Sequence, residues 1–133
     1  MSEARRLAAL RVALVGIGLI FLVGLPLLVA VWPSGWTWGH GHSHYLTMIV
    51  GVYATLGVFL LIAARRPEEN GGLIWFTVWS SLVHGAIMAA QSIADPAERG
   101  HFLGDTPALF LVALTLAVLM RRRRAAPAGD LAR

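Results

Sequence analysis

The chain has 133 residues, of which 57% are hydrophobic and only 14% are charged. Soluble domains usually carry about 25% charged residues, so a compact soluble protein is excluded as the first interpretation and a membrane protein is expected. The formal net charge is +4 and cysteine is absent, which excludes disulfides and thiolate metal sites.

Apolar segments follow one another along the chain, at about residues 12–31, 45–64, 73–93 and 102–120. A membrane-spanning helix needs about 20 residues, so we expect a transmembrane domain over 12–120. Basic regions flank it at 1–11 and 121–133. The first segment exceeds a signal-peptide core of about 7–15 residues, so we expect it to be retained, with a kink at Pro26. In the fourth segment, Thr106 before Pro107 is typical of an N-cap. Either the helix begins earlier, near Phe102, or residues 101–106 lie below the outer membrane interface.

The arginines set the predicted orientation. All eleven basic residues are arginine, and only Arg99 falls in a loop on the far side of a four-span topology. The positive-inside rule then places both termini in the cytoplasm of a bacterial inner membrane. The fold class is an all-α, up-down-up-down bundle of membrane helices. We interpret the basic run after the last segment as a lipid and topology anchor and not as a nucleic-acid site; it consists of Arg121, Arg122, Arg123 and Arg124.

Helical periodicity predicts which faces are buried. In the third segment, polar or small side chains share one face, expected to meet other helices: Thr77, Ser80, Ser81, His84, Met88 and Gln91. The opposite side should then face lipid or a partner protein, and it carries Trp75, Trp79, Leu82 and Ile93. In the second segment the same reasoning selects a face with His44, Met48, Gly51, Thr55, Val58 and Ile62. Tyr53 lies opposite, and its hydroxyl needs a partner, so a second covered face is also expected.

His84 is the most informative polar residue because an ionisable group inside a membrane is costly. One interpretation is structural, with hydrogen bonds to Ser80, Ser81, Gln91 or Asp105. The other is a proton-handling pair of His84 with Asp105, as in a small transporter or a quinone-site protein.

A repeated motif supports a metal hypothesis. HYLTM at 44–48 and HGAIM at 84–88 both place histidine and methionine one helical turn apart. Imidazole and thioether ligands suit copper, and the GHGHSH loop suits zinc or copper. The candidate ligands are His40, His42, His44, Met48, His84, Met88 and His101. Haem is a further alternative. Ordinary packing methionines and a solvated loop explain the same residues without any metal.

No phosphate loop, nucleophile elbow or zinc-protease motif is present in the sequence. The leading hypothesis is therefore a non-enzymatic accessory or scaffold subunit, with no certain cofactor. Its expected partners are membrane lipid and either other membrane subunits or further copies of itself.

Several segments carry a resemblance to a known family: MIVGVYATLG at 48–57, IWFTVWSS at 74–81, the His84–Met88 unit and GDTPAL at 104–109. They resemble a family of small bacterial membrane proteins known as a domain of unknown function. The likeness runs from residue 45 to 113 and implies four spans without an assigned activity. The layout is also loosely similar to DoxX-type four-helix proteins, some of which are linked to respiratory or quinone chemistry.

Overall fold

The computed structural model describes residues 2–37 and 44–121, and every regular element in this part of the chain is helical. The α-helices are α1 (Glu3–Leu19), α2 (Leu25–Val31), α3 (His44–Ala63), α4 (Gly71–Ala94) and α5 (Asp105–Met120). A π-helical turn, Ile20–Gly24, joins α1 to α2. Short 3-10 helices occupy the connections at Pro33–Gly35, Pro67–Asn70 and Pro96–Phe102.

Four helical stretches are long and apolar enough to cross a membrane: Glu3–Val31, His44–Ala63, Pro67–Ala94 and Pro96–Met120. The predicted all-α bundle with four membrane helices is therefore confirmed. The first helix begins before the apolar segment does, because Ser2 caps it by accepting from the backbone N–H of Arg5. Its basic residues thus extend the helix instead of forming a separate arm.

The start of the last helix differs from the sequence expectation, and the first span contains a π-helical turn that the sequence analysis did not predict. The last helix begins at Asp105 with Gly104 at the N-cap, so Thr106 lies inside the helix and the predicted N-cap is wrong. In the first span, the backbone N–H of Leu25 donates to the carbonyl of Ile20, five residues earlier. Pro26 cannot donate a hydrogen bond, and the π-helical turn lies directly before it.

The helices do not pack in chain order around the bundle. α1 packs against both α3 and α5, α5 packs against α4, and α3 meets α4 at few positions. A close backbone approach joins α1 to α3, since a Cβ placed on Gly57 would lie 2.6 Å from the carbonyl oxygen of Gly18. Only glycine permits this contact between backbones. The apolar core lies alongside this crossing and includes Leu10, Leu14, Leu60, Ile74 and Leu116.

At the arginine-bearing end, Arg6 is buried and ties α1 to the end of α5. Its guanidinium donates to the carbonyl of Leu119 over 2.6 Å and pairs with Glu3. Cations at helix C-termini are favourable because the last carbonyls lack backbone partners. Arg121 is exposed, and the rest of the predicted anchor lies outside the described residues.

The predicted buried face holds for α4 except at Gln91, which is exposed, and it does not hold for α3. On α4, Thr77, Ser81 and Met88 are buried, while Trp79 and Ile93 are exposed. On α3 the predicted buried face is the exposed one, with Met48, Thr55, Val58 and Ile62 at the surface. The buried positions of α3 are Gly57, Leu60 and Ala63. Nearly every side chain of α3 is apolar, so hydrophobicity alone does not fix its rotation in lipid; the glycine crossing with α1 does.

Candidate functional site

A cavity of about 540 Å³ lies among the helices, toward the end that carries the Pro33–Gly35 and Pro96–Phe102 connections. Ligand sites commonly enclose about 300–1,000 Å³ and are mostly apolar with a few polar groups. The cavity fits this description. Its apolar wall includes Ile17, Ile20, Leu25, Val29, Ile49 and Leu109, and its polar residues are Trp36, Tyr45, Tyr53, His84, Gln91, Asp105 and Thr115.

The central polar contact of the cavity joins α3 to α4. The Tyr53 hydroxyl and Nδ1 of His84 are 2.7 Å apart, which is a hydrogen bond. Phe21, in the π-helical turn, packs its ring edge-on against Tyr53 with ring centroids 4.9 Å apart. An edge-to-face aromatic pair fixes ring orientation. The first span therefore holds Tyr53 in place for its bond to His84.

The hydrogen bond between Tyr53 and His84 has two possible directions with the same chemical result. If the hydroxyl donates to Nδ1, the neutral imidazole carries its hydrogen on Nε2 and can donate it, while the phenol oxygen can still accept. If Nδ1 donates, the hydroxyl hydrogen is available and Nε2 accepts. In both cases the pair offers one further donor and one further acceptor. This suits a ligand group that contains a carbonyl or hydroxyl oxygen.

A second polar cluster closes the same end of the bundle. Asp105, the first residue of α5, lines the cavity, and its Oδ2 lies 2.8 Å from Nδ1 of the fully buried His101. Nε2 of His101 lies 3.1 Å from the carbonyl oxygen of Thr37 and 3.3 Å from Oε2 of Glu98. The imidazole thereby ties the two connections at this end to the start of α5.

The contacts of His101 define where its hydrogens lie. A carbonyl oxygen only accepts, so the bond to Thr37 requires a hydrogen on Nε2. The contact with Asp105 then shares one hydrogen between Nδ1 and the carboxyl group. Oδ1 of Asp105 is buried without a hydrogen-bond partner among the described residues. Asp105 also lies at the N-terminus of α5, where the helix dipole favours a negative charge.

The structure does not bring the described candidate metal ligands together in one place. Met48 is 56% exposed, whereas Met88 is buried and lines the cavity, so the two His-x-x-x-Met motifs do not share one pocket. Both ring nitrogens of His101 already have protein partners. Within residues 2–37 and 44–121, no three or more histidine, aspartate or glutamate side chains are grouped so that they could hold a metal ion. His40 and His42 lie outside that range, and their metal role stays a prediction.

The intramembrane polar residues converge only in part. His84 and Asp105 line the same cavity, together with Gln91. Ser80 donates to the carbonyl of Thr77, and the buried Ser81 hydroxyl lacks a partner among the described residues. The partner of His84 is Tyr53, which was not among the residues proposed for it from the sequence. The sequence did contain a signal, because each residue separately required a polar partner within the membrane.

Comparison with known proteins identifies the family of the chain but assigns it no activity. A family model described as a family of unknown function (DUF6632) matches residues 4–133. The match extends over the first span and the histidine-rich loop, beyond the stretch on which the resemblance was based. No curated protein and no solved structure matches the chain. The looser similarity to DoxX-type proteins is not shown.

Proposed function

The chain belongs to the DUF6632 family of unknown function, and we propose that this multi-pass membrane protein binds a lipophilic small molecule with a quinone-type head in the cavity between its helices. The observation that carries the proposal is the hydrogen-bonded pair of Tyr53 and His84 in the wall of a large, otherwise apolar cavity.

The size and lining of the cavity favour a ring compound with an apolar remainder. A volume of about 540 Å³ accommodates a substituted ring and part of a hydrocarbon chain, since ligand sites of this kind enclose about 300–1,000 Å³. Ile20, Leu25 and Val29 extend the apolar wall along the first span. A hydrocarbon chain placed there loses no hydrogen bonds, because neither it nor the wall has polar groups to satisfy.

The polar side of the cavity favours a quinone-type head over a pure hydrocarbon. A quinone oxygen accepts a hydrogen bond, and the corresponding quinol hydroxyl both donates and accepts. The pair of Tyr53 and His84 can match either form because it presents a donor and an acceptor in both of its arrangements. A hydrocarbon would leave the further donor and the further acceptor of this pair without partners, and an unsatisfied buried polar group costs about 1–3 kcal/mol.

We place this activity in the bacterial inner membrane, with the arginine-bearing ends cytoplasmic, as the sequence predicts. An accessory role within a larger membrane complex is compatible with ligand binding, because a subunit can hold a lipophilic molecule for its neighbours. Gentle detergent extraction should then recover stoichiometric partner subunits, and recovery of bare monomer alone would count against that accessory role.

The test of ligand binding uses purified protein in lipid nanodiscs and a short-chain ubiquinone analogue as the probe, with tryptophan fluorescence as the signal. We expect saturable quenching for the wild type. Ala108→Phe fills the cavity and should weaken binding at least tenfold. Val83→Phe is the matched control, because Val83 is 56% exposed and does not line the cavity. Absence of saturable binding, or equal affinities for the two variants, would refute the proposed function.

A further inference from the structure

The cluster of Glu98, His101 and Asp105 forms a continuous chain of acid and base groups from the surface to the cavity. The side chain of Glu98 is 16% exposed, while that of His101 is fully buried. Glu98 contacts Nε2 of His101, Nδ1 contacts Asp105, and Asp105 lines the cavity with Tyr53 and His84. We propose that these three residues carry protons between the cavity and the surface at the end of the bundle that carries the Pro33–Gly35 and Pro96–Phe102 connections.

Proton transfer along the chain has a donor and an acceptor at each step. The Asp105 carboxylic acid gives its hydrogen to Nδ1 of His101, and Nε2 gives its hydrogen to the Glu98 carboxylate. The products are an Asp105 carboxylate, a neutral His101 with its hydrogen on Nδ1, and a Glu98 carboxylic acid, which exchanges with water. One proton has then left the cavity side. Loss of the Nε2 hydrogen removes the bond to the Thr37 carbonyl. Reprotonation of Glu98 by water and reversal of both transfers restore this bond and return a hydrogen to Asp105, so the chain exchanges the Asp105 hydrogen with water.

Within residues 2–37 and 44–121, the following groups face this chain. Tyr53 from α3 and His84 from α4 share the cavity with Asp105. Glu98 belongs to the same 3-10 helix as His101, and Thr37 contributes a carbonyl that does not titrate. Asp95 accepts a hydrogen bond from the backbone N–H of Ala97 and caps that 3-10 helix. The geometry therefore leads from Glu98 through a single imidazole to Asp105.

The relay would supply protons to the proposed ligand, or remove them from it, and so this role rests on the proposed function. Its test needs no ligand, so the two ideas can fail separately. The readout is the exchange of the His84 ring N–H hydrogen with water, followed by proton–nitrogen correlation spectra of protein labelled with ¹⁵N-histidine in nanodiscs. The Tyr53 and His84 pair is the endpoint because it shares the cavity with Asp105.

We expect the His84 exchange rate to fall at least tenfold in Asp105→Asn and in Glu98→Gln. Glu98→Gln is the second variant because it changes a side chain near the surface and keeps the buried pair of His101 and Asp105 intact. Glu69→Gln is the control, since its side chain is 64% exposed and pairs with Arg66 at the opposite end of the bundle. A His84 exchange rate that is the same in wild type, Asp105→Asn and Glu98→Gln, whether fast or slow, would overturn the relay. If the wild type does not bind the quinone but its His84 exchange rate still depends on Asp105, the proposed ligand is wrong and the relay is supported.

Discussion

Tyr53 and His84 are joined by a hydrogen bond of 2.7 Å, although the helices that carry them, α3 and α4, meet at few other positions. This polar contact therefore closes the bundle on the side where apolar packing is sparse. It also forms the part of the cavity wall that has the most specific chemistry. The same two side chains thus contribute to stability and to the proposed ligand site.

Tyr53→Phe should destabilise the protein and weaken ligand binding. The substitution keeps the ring packing against Phe21 but removes the hydroxyl, and Nδ1 of the half-buried His84 loses its partner. Removing one partner of such a bond costs about 1–3 kcal/mol. Thermal unfolding in detergent measures the loss. Tyr45→Phe is the control for unfolding only, because Tyr45 is 77% exposed but also lines the cavity. An equal unfolding midpoint for the two variants would contradict the structural role of the bond.

Gly57→Ala should disrupt the crossing of α1 and α3. The added Cβ would lie 2.6 Å from the Gly18 carbonyl oxygen and 2.9 Å from the backbone nitrogen of Leu22. Because both neighbours are backbone atoms, the helices must separate, at a cost of about 1–3 kcal/mol. Gly51→Ala on the same helix has nothing within 4 Å of the new carbon. It should leave the unfolding midpoint unchanged or raise it, and equal losses for the two variants would be inconsistent with a close crossing.

His101→Ala should loosen the end of the bundle that carries the cavity. The imidazole is fully buried and contacts both Asp105 and the Thr37 carbonyl. Its removal leaves the Asp105 carboxyl group and the Thr37 carbonyl without this partner and should cost at least about 2 kcal/mol. His44→Ala is the control, since His44 is exposed at the start of α3. Thermal unfolding and hydrogen exchange at the start of α5 report the change, and a wild-type exchange pattern in His101→Ala would contradict it.

The predicted orientation can be tested directly because the chain contains no cysteine. Single substitutions Ser2→Cys, Arg121→Cys and Ala97→Cys supply unique labelling positions. With four spans and cytoplasmic termini, a membrane-impermeant maleimide added outside spheroplasts should label only Ala97→Cys. Labelling of all three variants after membrane lysis confirms that each thiol is accessible. Labelling of Ser2→Cys in intact spheroplasts would reverse the predicted topology.

The membrane-spanning bundle and the buried face of α4 follow from the sequence, because polar and small residues occupy one side of that helix and tryptophans the other. The rotation of α3 does not follow. Its side chains are apolar almost all round, and lipid accepts any of them, so the wrong face was predicted. Gly18 and Gly57 decide the rotation through an approach that exists only once the helices pack.

The polar residues show the same division. The sequence by itself determined that Tyr53, His84, His101 and Asp105 lie in or beside the membrane segments, where each needs a hydrogen-bond partner. For His101 and Asp105 the partner is only four residues away along the chain, so their proximity can be anticipated from the sequence. For Tyr53 and His84 the partner is on another helix. This partner is determined only by the tertiary structure. Such a bond depends on the relative position and rotation of two helices, and residue spacing within either helix carries no information about their relative placement.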